Sequence, residues 1–318
     1  MNLKDLKQYE TYFYRAPSAH NTQPWALTYG QETIELGFDE KRALPDGDPT
    51  NRDLLLSLGA FVETVLIVAS HFKQDLEFIA DIDLAKHHIG SFKKSIQSYK
   101  TPFTLGDVEK RQTSRLIYKK DRIDPKAVEA LRVQSNGLDI HILESTSLID
   151  LFKESDYYVF HHIPVLKELR QWLRLSKSDP RYVKDGLNAE CLNLDGVQSF
   201  IFNWILKSLE FGYGQRLKLD QLLTMSSLDV LKNRCDVMVL TGKNNGEASV
   251  LEAGRSLQRI WLDLARKGYF THPLSQIIDC PKTYAMLASR MALKDKDQIF
   301  SVFRVGSSSL PAHSYRNH

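Results

Sequence analysis

The sequence is poor in the features that mark several protein classes. Its 318 residues include only three cysteines, which lie far apart, so neither a disulfide framework nor a metal-ligand spacing is visible. No uncharged apolar run of about 18 residues occurs, the length that a membrane-spanning helix needs. The N-terminus lacks the basic and apolar segments of a signal peptide. We therefore expect no membrane-spanning helix, no bound metal and a cytoplasmic location.

The net charge is small as well. A formal charge of +3 argues against a general nucleic-acid-binding protein. The distribution is uneven, because ten Lys or Arg residues between positions 84 and 125 are offset by only four acids. The charge pattern leaves two interpretations open, a solvated basic face or one wall of an anion site.

The overall composition is that of a globular protein, with 42% hydrophobic and 25% charged residues. The spacing of apolar residues predicts helices and strands in both halves of the chain. The predicted helices are 3–14, 54–72, 127–133 and 248–267, with two or three more within 145–175 and 195–210. The predicted strands are 25–29, 33–37, 76–82, 138–143, 237–240 and 299–305.

Two of the predicted helices resemble each other. GAFVETVLI (59–67) and GRSLQRIWL (254–262) place a glycine and several apolar residues at the same spacing. Glycine inside a helix costs up to about 1 kcal/mol relative to alanine, so a close-packing role is expected. The two helices could cross at Gly59 and Gly254, either as halves of a duplicated unit or as two buried helices that resemble each other by chance.

A short loop carries an unusual concentration of polar groups. Residues 16–25 read APSAHNTQPW, with two prolines, two hydroxyls, an amide pair, a histidine and a tryptophan. Such a loop could lie along the edge of a flat polar heteroaromatic ring, although polar turns of this kind are more often structural.

This loop resembles the APSxxNxQPW signature of the FMN-dependent nitroreductase superfamily. The continuation DPTNRDLLLSLGA (48–60) resembles the corresponding segment of the Acg-type branch of that superfamily. The segments KRQTSR (110–115), 253–276, FRVG (303–306) and SYR (314–316) agree with the same family. The resemblance therefore extends over nearly the whole chain and is weakest between 130 and 230.

The resemblance implies an α+β, three-layer α-β-α fold. Ordinary members of the superfamily are homodimers in which each subunit supplies part of the FMN site. Here the loop APSAHNTQPW lies in the first half and the phosphate motif RQTSR in the second. The resemblance therefore predicts two related lobes, 1–105 and 106–318, fused as an intramolecular pseudo-dimer around one composite FMN site.

The family motifs also imply roles for particular residues. Arg111 and Thr113 are expected to bind the FMN phosphate, Arg115 the N1/O2 edge of the flavin, and Arg316 the phosphate a second time. The residues expected along the pyrimidine side of the flavin are Pro17, Ser18, Asn21 and Gln23. The stretch expected near flavin N5 is Pro273, Leu274 and Ser275.

Several other side chains have two interpretations each. Arg304 is either a cofactor contact or part of a strand-end salt bridge, and Arg52 is either a helix-start residue or a cofactor contact. His20 either contacts the flavin or stabilises its loop. Trp25 and Trp261 are expected in the core. No side-chain acid or base is assigned to catalysis.

The resemblance implies an oxidoreductase that transfers hydride from NADH or NADPH through FMN to a nitroaromatic or quinone-like acceptor, by ping-pong turnover. The main alternative is an FMN-sequestering protein with little turnover, in which a segment within 155–195 covers the flavin. A ring-oxidising or dehalogenating enzyme of the same superfamily is a third possibility. The expected partner is a small-molecule electron acceptor, without nucleic acid or membrane, in a monomeric pseudo-dimer or a further homodimer.

Overall fold

Helices and strands are interspersed along the chain in a computed structural model, which describes residues 3–294, 296–312 and 314–316. The helices are α1 (Glu10–Phe13), α2 (Arg52–His71), α3 (Leu105–Lys110), α4 (Pro125–Gln134), α5 (Ile149–His161), α6 (Ile163–Gln171), α7 (Gly196–Glu210), α8 (Tyr213–Arg216), α9 (Leu219–Ser227), α10 (Asp229–Lys232), α11 (Glu247–Arg266), α12 (Gln276–Asp279) and α13 (Pro281–Arg290). The strands are β1 (Trp25–Tyr29), β2 (Thr33–Phe38), β3 (Leu76–Asp83), β4 (His88–Lys94), β5 (Asp139–Glu144), β6 (Leu173–Arg174), β7 (Leu187–Asn188), β8 (Asp236–Lys243), β9 (Phe270–Pro273) and β10 (Asp297–Gly306). This mixture confirms the α+β class.

The chain divides into two compact units. The first contains the described residues of Met1–Arg111, Asn245–Arg266 and Arg316–His318, and the second contains Gln112–Asn244 and Lys267–Tyr315. Helix α11 therefore packs in the first unit, although its neighbours along the chain, β8 and β9, belong to the second. The prediction of two duplicated lobes, 1–105 and 106–318, concerns the origin of the halves and stays a prediction.

Each unit holds one four-stranded antiparallel sheet, and the two sheets have the same strand order. The first is ordered β1-β2-β4-β3 and the second β5-β8-β10-β9. Counted along the chain within each sheet, both orders read 1-2-4-3. In both, a 20-residue helix connects the second strand to the third, α2 in one and α11 in the other.

The two sheets differ in what connects their first and second strands. A short turn joins β1 to β2, whereas β5 and β8 are separated by a long insertion that contains α5 to α10. Part of this insertion forms its own small core, in which Phe160 and Leu166 pack against Ile205, Leu206 and Leu209 of α7.

Helices α2 and α11 cross at the two glycines that the sequence singled out. A Cβ atom built on Gly59 would lie 2.0 Å from the carbonyl oxygen of Leu251, and one on Gly254 would lie 2.3 Å from that of Leu56. No real Cβ atom approaches an oxygen so closely, so only glycine permits this separation of the helices. The predicted close crossing is confirmed.

A buried carboxylate also joins these helices. Glu63 of α2 is fully buried and accepts hydrogen bonds from Arg255 Nε at 3.0 Å and Arg259 Nη1 at 2.9 Å, both on α11. The hydroxyl of Tyr99 also donates to Glu63. Buried ion pairs of this kind are stable only while every partner is present.

Helix α2 is long and apolar enough to cross a membrane by length and composition alone, contrary to the expectation from the sequence. However, 89% of that apolar stretch is buried inside the protein. This burial is typical of the core helix of a soluble protein, because such a helix passes the same test of length and composition.

Candidate cofactor site

The loop that carries the APSAHNTQPW motif has an uncommon backbone. His20, Asn21 and Gln23 have φ values of 46°, 56° and 54°, in the left-handed region that non-glycine residues seldom adopt. Conformations of this kind cost free energy and persist where the surrounding contacts fix them, often at ligand sites. The loop is therefore held in a set shape, as a cofactor edge would require.

Hydroxyl groups hold this loop in place. Ser18 Oγ accepts the backbone N–H of Gln23 at 3.0 Å, and Ser57 Oγ on α2 accepts that of Ala19 at 3.2 Å. Ser18 therefore supports the loop through its hydroxyl oxygen. Asn21 and Gln23 are both buried, and the side-chain amide of Gln23 donates to the carbonyl oxygen of Asn21 at 3.4 Å.

Two neighbours of the loop have structural roles. Trp25 is buried and stacks on Phe61 with a ring-centroid distance of 4.6 Å, as expected for a core residue. Arg52 begins α2, and its guanidinium pairs with Asp53 at 2.7 Å, which favours the helix-start interpretation.

Asp48, close to Asp53, is a titratable group that the sequence analysis did not identify. Burial and the charge of Asp53 raise the pKa of Asp48 to about 7.

Arg111 is buried at the end of α3 with part of its donor capacity unused. Its side chain is 6% exposed, and Nη2 donates to the carbonyl oxygen of Arg15 at 3.3 Å. Its Nε and Nη1 atoms are buried without a hydrogen-bond partner among the described residues. Since Arg15 directly precedes the APSAHNTQPW loop, the structure brings the predicted phosphate ligand next to that loop.

No carboxylate offsets the charge of Arg111 in the described part of the chain. Its guanidinium lies 5.9 Å from the ring centroid of Trp261, a cation–π contact. Burial, together with the positive charge of Arg15, lowers the pKa of Arg111 to about 10, so the group stays cationic at neutral pH. A buried cation with unused donors is costly unless an anion binds there, and a phosphate oxygen suits both the charge and the donors.

Thr113 and Arg115 lie in the second unit, on a segment without regular secondary structure. Thr113 forms a parallel bridge with Thr271 of β9, and the N–H of Ser114 donates to the carbonyl oxygen of Thr271 at 3.0 Å. Arg115 donates to the carbonyl oxygen of Cys191 at 3.4 Å. The structure thus places Thr113 beside the strand that leads into the predicted N5 stretch.

In that stretch, the three residues have different environments. Leu274 is fully buried in the core of the second unit, and its N–H donates to the carbonyl oxygen of Val302 at 2.8 Å. Pro273 ends β9, and Ser275 precedes α12. A backbone N–H contact from this stretch to a flavin would therefore come from Ser275, because proline has no N–H and the Leu274 N–H already has a partner.

Arg304 is part of a buried cluster and not of the strand-end salt bridge that the sequence suggested as one possibility. Its Nε and Nη2 atoms lie 3.1 Å and 2.9 Å from His272 Nδ1, and its two Nη atoms donate to the carbonyl oxygens of Val230 and Leu116. The guanidinium also stacks over Tyr118 at 4.3 Å. With its donors already paired, Arg304 is poorly suited to bind a cofactor.

His272 is a residue that the sequence analysis missed. Since the guanidinium donates to Nδ1, the ring proton must lie on Nε2. Burial and the charges of Arg304 and Arg115 lower the pKa of His272 well below 6.5, so the ring stays neutral. It directly precedes Pro273. Only its position in β9, directly before the N5 stretch, could have indicated it, because Arg304 is 32 residues away in sequence.

The remaining predictions concern Arg316, His20 and metals. Arg316 is half-buried and belongs to the first unit, as Arg111 does. His20 and Pro17 are half-buried in the loop. Over the described ranges, no three His, Cys, Asp or Glu side chains are grouped as a metal site would require.

The fold and site define an α+β protein with a rigid polar loop beside a buried, unneutralised arginine. No family model matches the chain. It is 23% identical over 310 residues to a protein of Serratia sp. (strain ATCC 39006) described as the probable NAD(P)H nitroreductase PigM, and the similarity covers 91% of this chain and 84% of PigM. This similarity supports a nitroreductase-like family.

Solved structures of nitroreductases are more distantly similar. One is the FMN-dependent nitroreductase NfnB of Mycobacterium smegmatis in complex with NADPH, at 12% identity, covering 64% of this chain and 86% of that one, with a TM-score of 0.37. Another is a nitroreductase-like protein of Bacillus cereus, at 10% identity, covering 69% and 94%, with a TM-score of 0.39. TM-scores of this size are too low to establish a shared fold.

Proposed function

We propose that this protein is an FMN-dependent oxidoreductase that passes hydride from NADH or NADPH to an electron-poor small molecule of the nitroaromatic or quinone class. The observation that carries the proposal is Arg111, a buried guanidinium with two unpartnered donor atoms next to the APSAHNTQPW loop. The similarity to PigM over most of both chains supports the same function.

The residues available suit FMN. Arg111 would bind the phosphate through Nε and Nη1, with Thr113 and Arg316 as further phosphate contacts. The fixed loop would present Pro17, Asn21 and Gln23 to the pyrimidine edge, supported from behind by Ser18. Arg115 would supply positive charge at the N1/O2 edge. The N–H near N5 would come from Ser275, which follows Pro273 and Leu274.

When bound, FMN supplies the redox chemistry by accepting hydride and passing it on. The protein residues bind the phosphate, orient the ring and adjust its electrostatics. Positive charge from Arg115 would stabilise the added negative charge of the reduced ring and raise its reduction potential. Solvent can supply protons, so no side-chain acid or base is required. Turnover would be ping-pong, with reductant and acceptor binding in succession.

We further propose that the chain is a fused pseudo-dimer of the Acg type. The identical 1-2-4-3 order of the two sheets supports a duplication, as does the glycine-bearing helix between the second and third strands of each. In this proposal the insertion between β5 and β8 was added to the second copy after the duplication.

A reductive titration tests the function. The purified protein is expected to be yellow, with non-covalent FMN that bleaches on addition of NADH or NADPH and recovers on addition of a quinone. Tight FMN binding without bleaching by either nucleotide would favour the sequestering alternative. A colourless protein that does not bind added FMN would refute the assignment to this family.

A further inference from the structure

The insertion between β5 and β8 carries a concentration of exposed apolar side chains. Of the 17 large hydrophobic residues that are exposed in the described part of the chain, nine lie between positions 197 and 225. They are Val197, Phe200, Ile201, Trp204, Phe211, Tyr213, Leu217, Leu222 and Met225, here called the apolar surface. Scattered exposed apolar residues are normal, whereas a contiguous exposed apolar patch marks an interaction site.

Four of these residues form a stripe along α7. Val197, Phe200, Ile201 and Trp204 follow the i, i+3, i+4, i+7 spacing of one helix face. The opposite face of α7 packs into the small core of the insertion through Ile205, Leu206 and Leu209. Helix α7 is therefore apolar on both sides, with one side inside the protein and the other facing outward.

Positive charge accompanies the apolar surface. Lys207, Arg216 and Lys218 are exposed on or between α7, α8 and α9. The acids of the same segment are engaged elsewhere: Glu210 pairs with Arg170, and Asp220 is buried beside His161. Asp195 caps the N-terminus of α7 by accepting the N–H of Gln198. The exposed charge around the surface is thus predominantly positive.

We propose that this surface docks the protein on an anionic phospholipid membrane. Aromatic side chains with a polar edge, such as Trp204 and Tyr213, suit the boundary between headgroups and acyl chains, and the three basic side chains match anionic headgroups. A second copy of the chain meeting this surface around a twofold axis would oppose the same positive charges to each other, which disfavours self-association.

The apolar surface lies wholly in the insertion between β5 and β8. The first sheet has the same 1-2-4-3 strand order without such an insertion. The apolar surface is therefore separate from the segments proposed to hold FMN, and membrane binding does not depend on the proposed redox function. The sequence analysis expected no membrane partner because it identified no membrane-spanning run of apolar residues, an argument that does not apply to peripheral binding.

Vesicle co-sedimentation tests the proposal with the full-length protein. We expect binding to vesicles of phosphatidylcholine with phosphatidylglycerol, little binding to phosphatidylcholine alone, and weakening by salt. Phe200→Ser with Trp204→Ser should lower partitioning roughly tenfold or more, and so should the triple change of Lys207, Arg216 and Lys218 to Gln. Val133→Ser, an exposed apolar residue on α4, is the matched control and should leave partitioning unchanged.

Near-UV circular dichroism and FMN binding establish that the variants remain folded, which is expected because both serine substitutions replace exposed side chains. Absence of binding to anionic vesicles would overturn the proposal. Equal binding by wild type and both surface variants would overturn it as well. A wild-type dimer that Phe200→Ser with Trp204→Ser converts to a monomer, without vesicle binding, would assign the surface to a second copy instead.

Discussion

Arg111 is deeply buried and positively charged, and it has unused donors. These properties favour FMN binding but destabilise the FMN-free protein. We expect Arg111→Met to weaken FMN binding by about 1.5–3 kcal/mol, the range for a lost charged hydrogen bond. In the FMN-free protein the same change removes a desolvated charge and should leave the melting temperature unchanged or raise it. Flavin fluorescence titration and calorimetry measure the two effects.

Arg132→Met is a suitable control, because Arg132 is exposed and its guanidinium pairs with Glu129 on its own helix at 2.8 Å. This change should alter the free energy of FMN binding by no more than about 0.5 kcal/mol and should leave the melting temperature nearly unchanged. If Arg111→Met left FMN affinity intact, the phosphate would have to bind elsewhere.

His272 gives the folded protein a specific pH dependence. The folded protein keeps this ring neutral, whereas the unfolded chain protonates it below about pH 6.5. Protonation therefore stabilises the unfolded state as the pH falls. As the pH falls below about 6.5, the unfolding free energy of the wild type should therefore decrease relative to that of His272→Gln, by up to about 1.4 kcal/mol per pH unit.

Urea denaturation of both proteins across this pH range measures the difference, and comparing them cancels titrating groups that they share, such as Asp48. A difference that stays constant with pH would contradict the neutral, Nδ1-accepting state of His272.

Helices α2 and α11 depend on two glycines for their packing. We expect Gly59→Ala and Gly254→Ala each to destabilise the protein by about 1–3 kcal/mol or more, because the added methyl group collides with a backbone carbonyl that cannot move away without separating the helices. Gly106→Ala in α3 is the matched control. Its Cβ would meet only Thr104 Oγ1 at 3.8 Å, so the change should be neutral or stabilising by up to about 1 kcal/mol. Chemical denaturation distinguishes these outcomes.

Elements with a strong apolar period could be predicted from sequence, and weaker ones could not. Strand β1 has the predicted bounds, and α2 and α11 agree with prediction within about two residues at each end. Strand β4 escaped prediction, because HIGSFKK mixes basic residues and a glycine into a weak alternation. The four-residue β9 contains a proline and is defined by its pairing with β10.

The sequence predicted which residues belong to the candidate site, but not the contacts that those residues make. The loop motif indicated Asn21 and Gln23, yet their left-handed backbone depends on the support of Ser18 and Ser57, which sequence propensity does not register. The pairing of Arg304 with His272 depends on the register of β9 against β10, and this register is a property of the assembled sheet.

At the scale of the whole molecule, the two motifs proposed to hold FMN occur once each in the chain. A fused pseudo-dimer that retains one composite site should therefore bind one FMN per polypeptide. The ratio of flavin absorbance to protein, after extraction and independent protein quantification, measures this stoichiometry. Two flavins per chain would refute the single composite site.

The position of α11 in the first unit has a consequence during synthesis. About 180 residues separate the end of α2 from the start of its glycine-matched partner. At roughly 5–20 residues per second, a ribosome needs on the order of ten to forty seconds to make the intervening chain. During that interval α2, apolar enough to pass as a membrane span, has no partner helix to cover it. Chains cut short before Glu247 would remain in that state, so we expect them to aggregate or to be retained by chaperones.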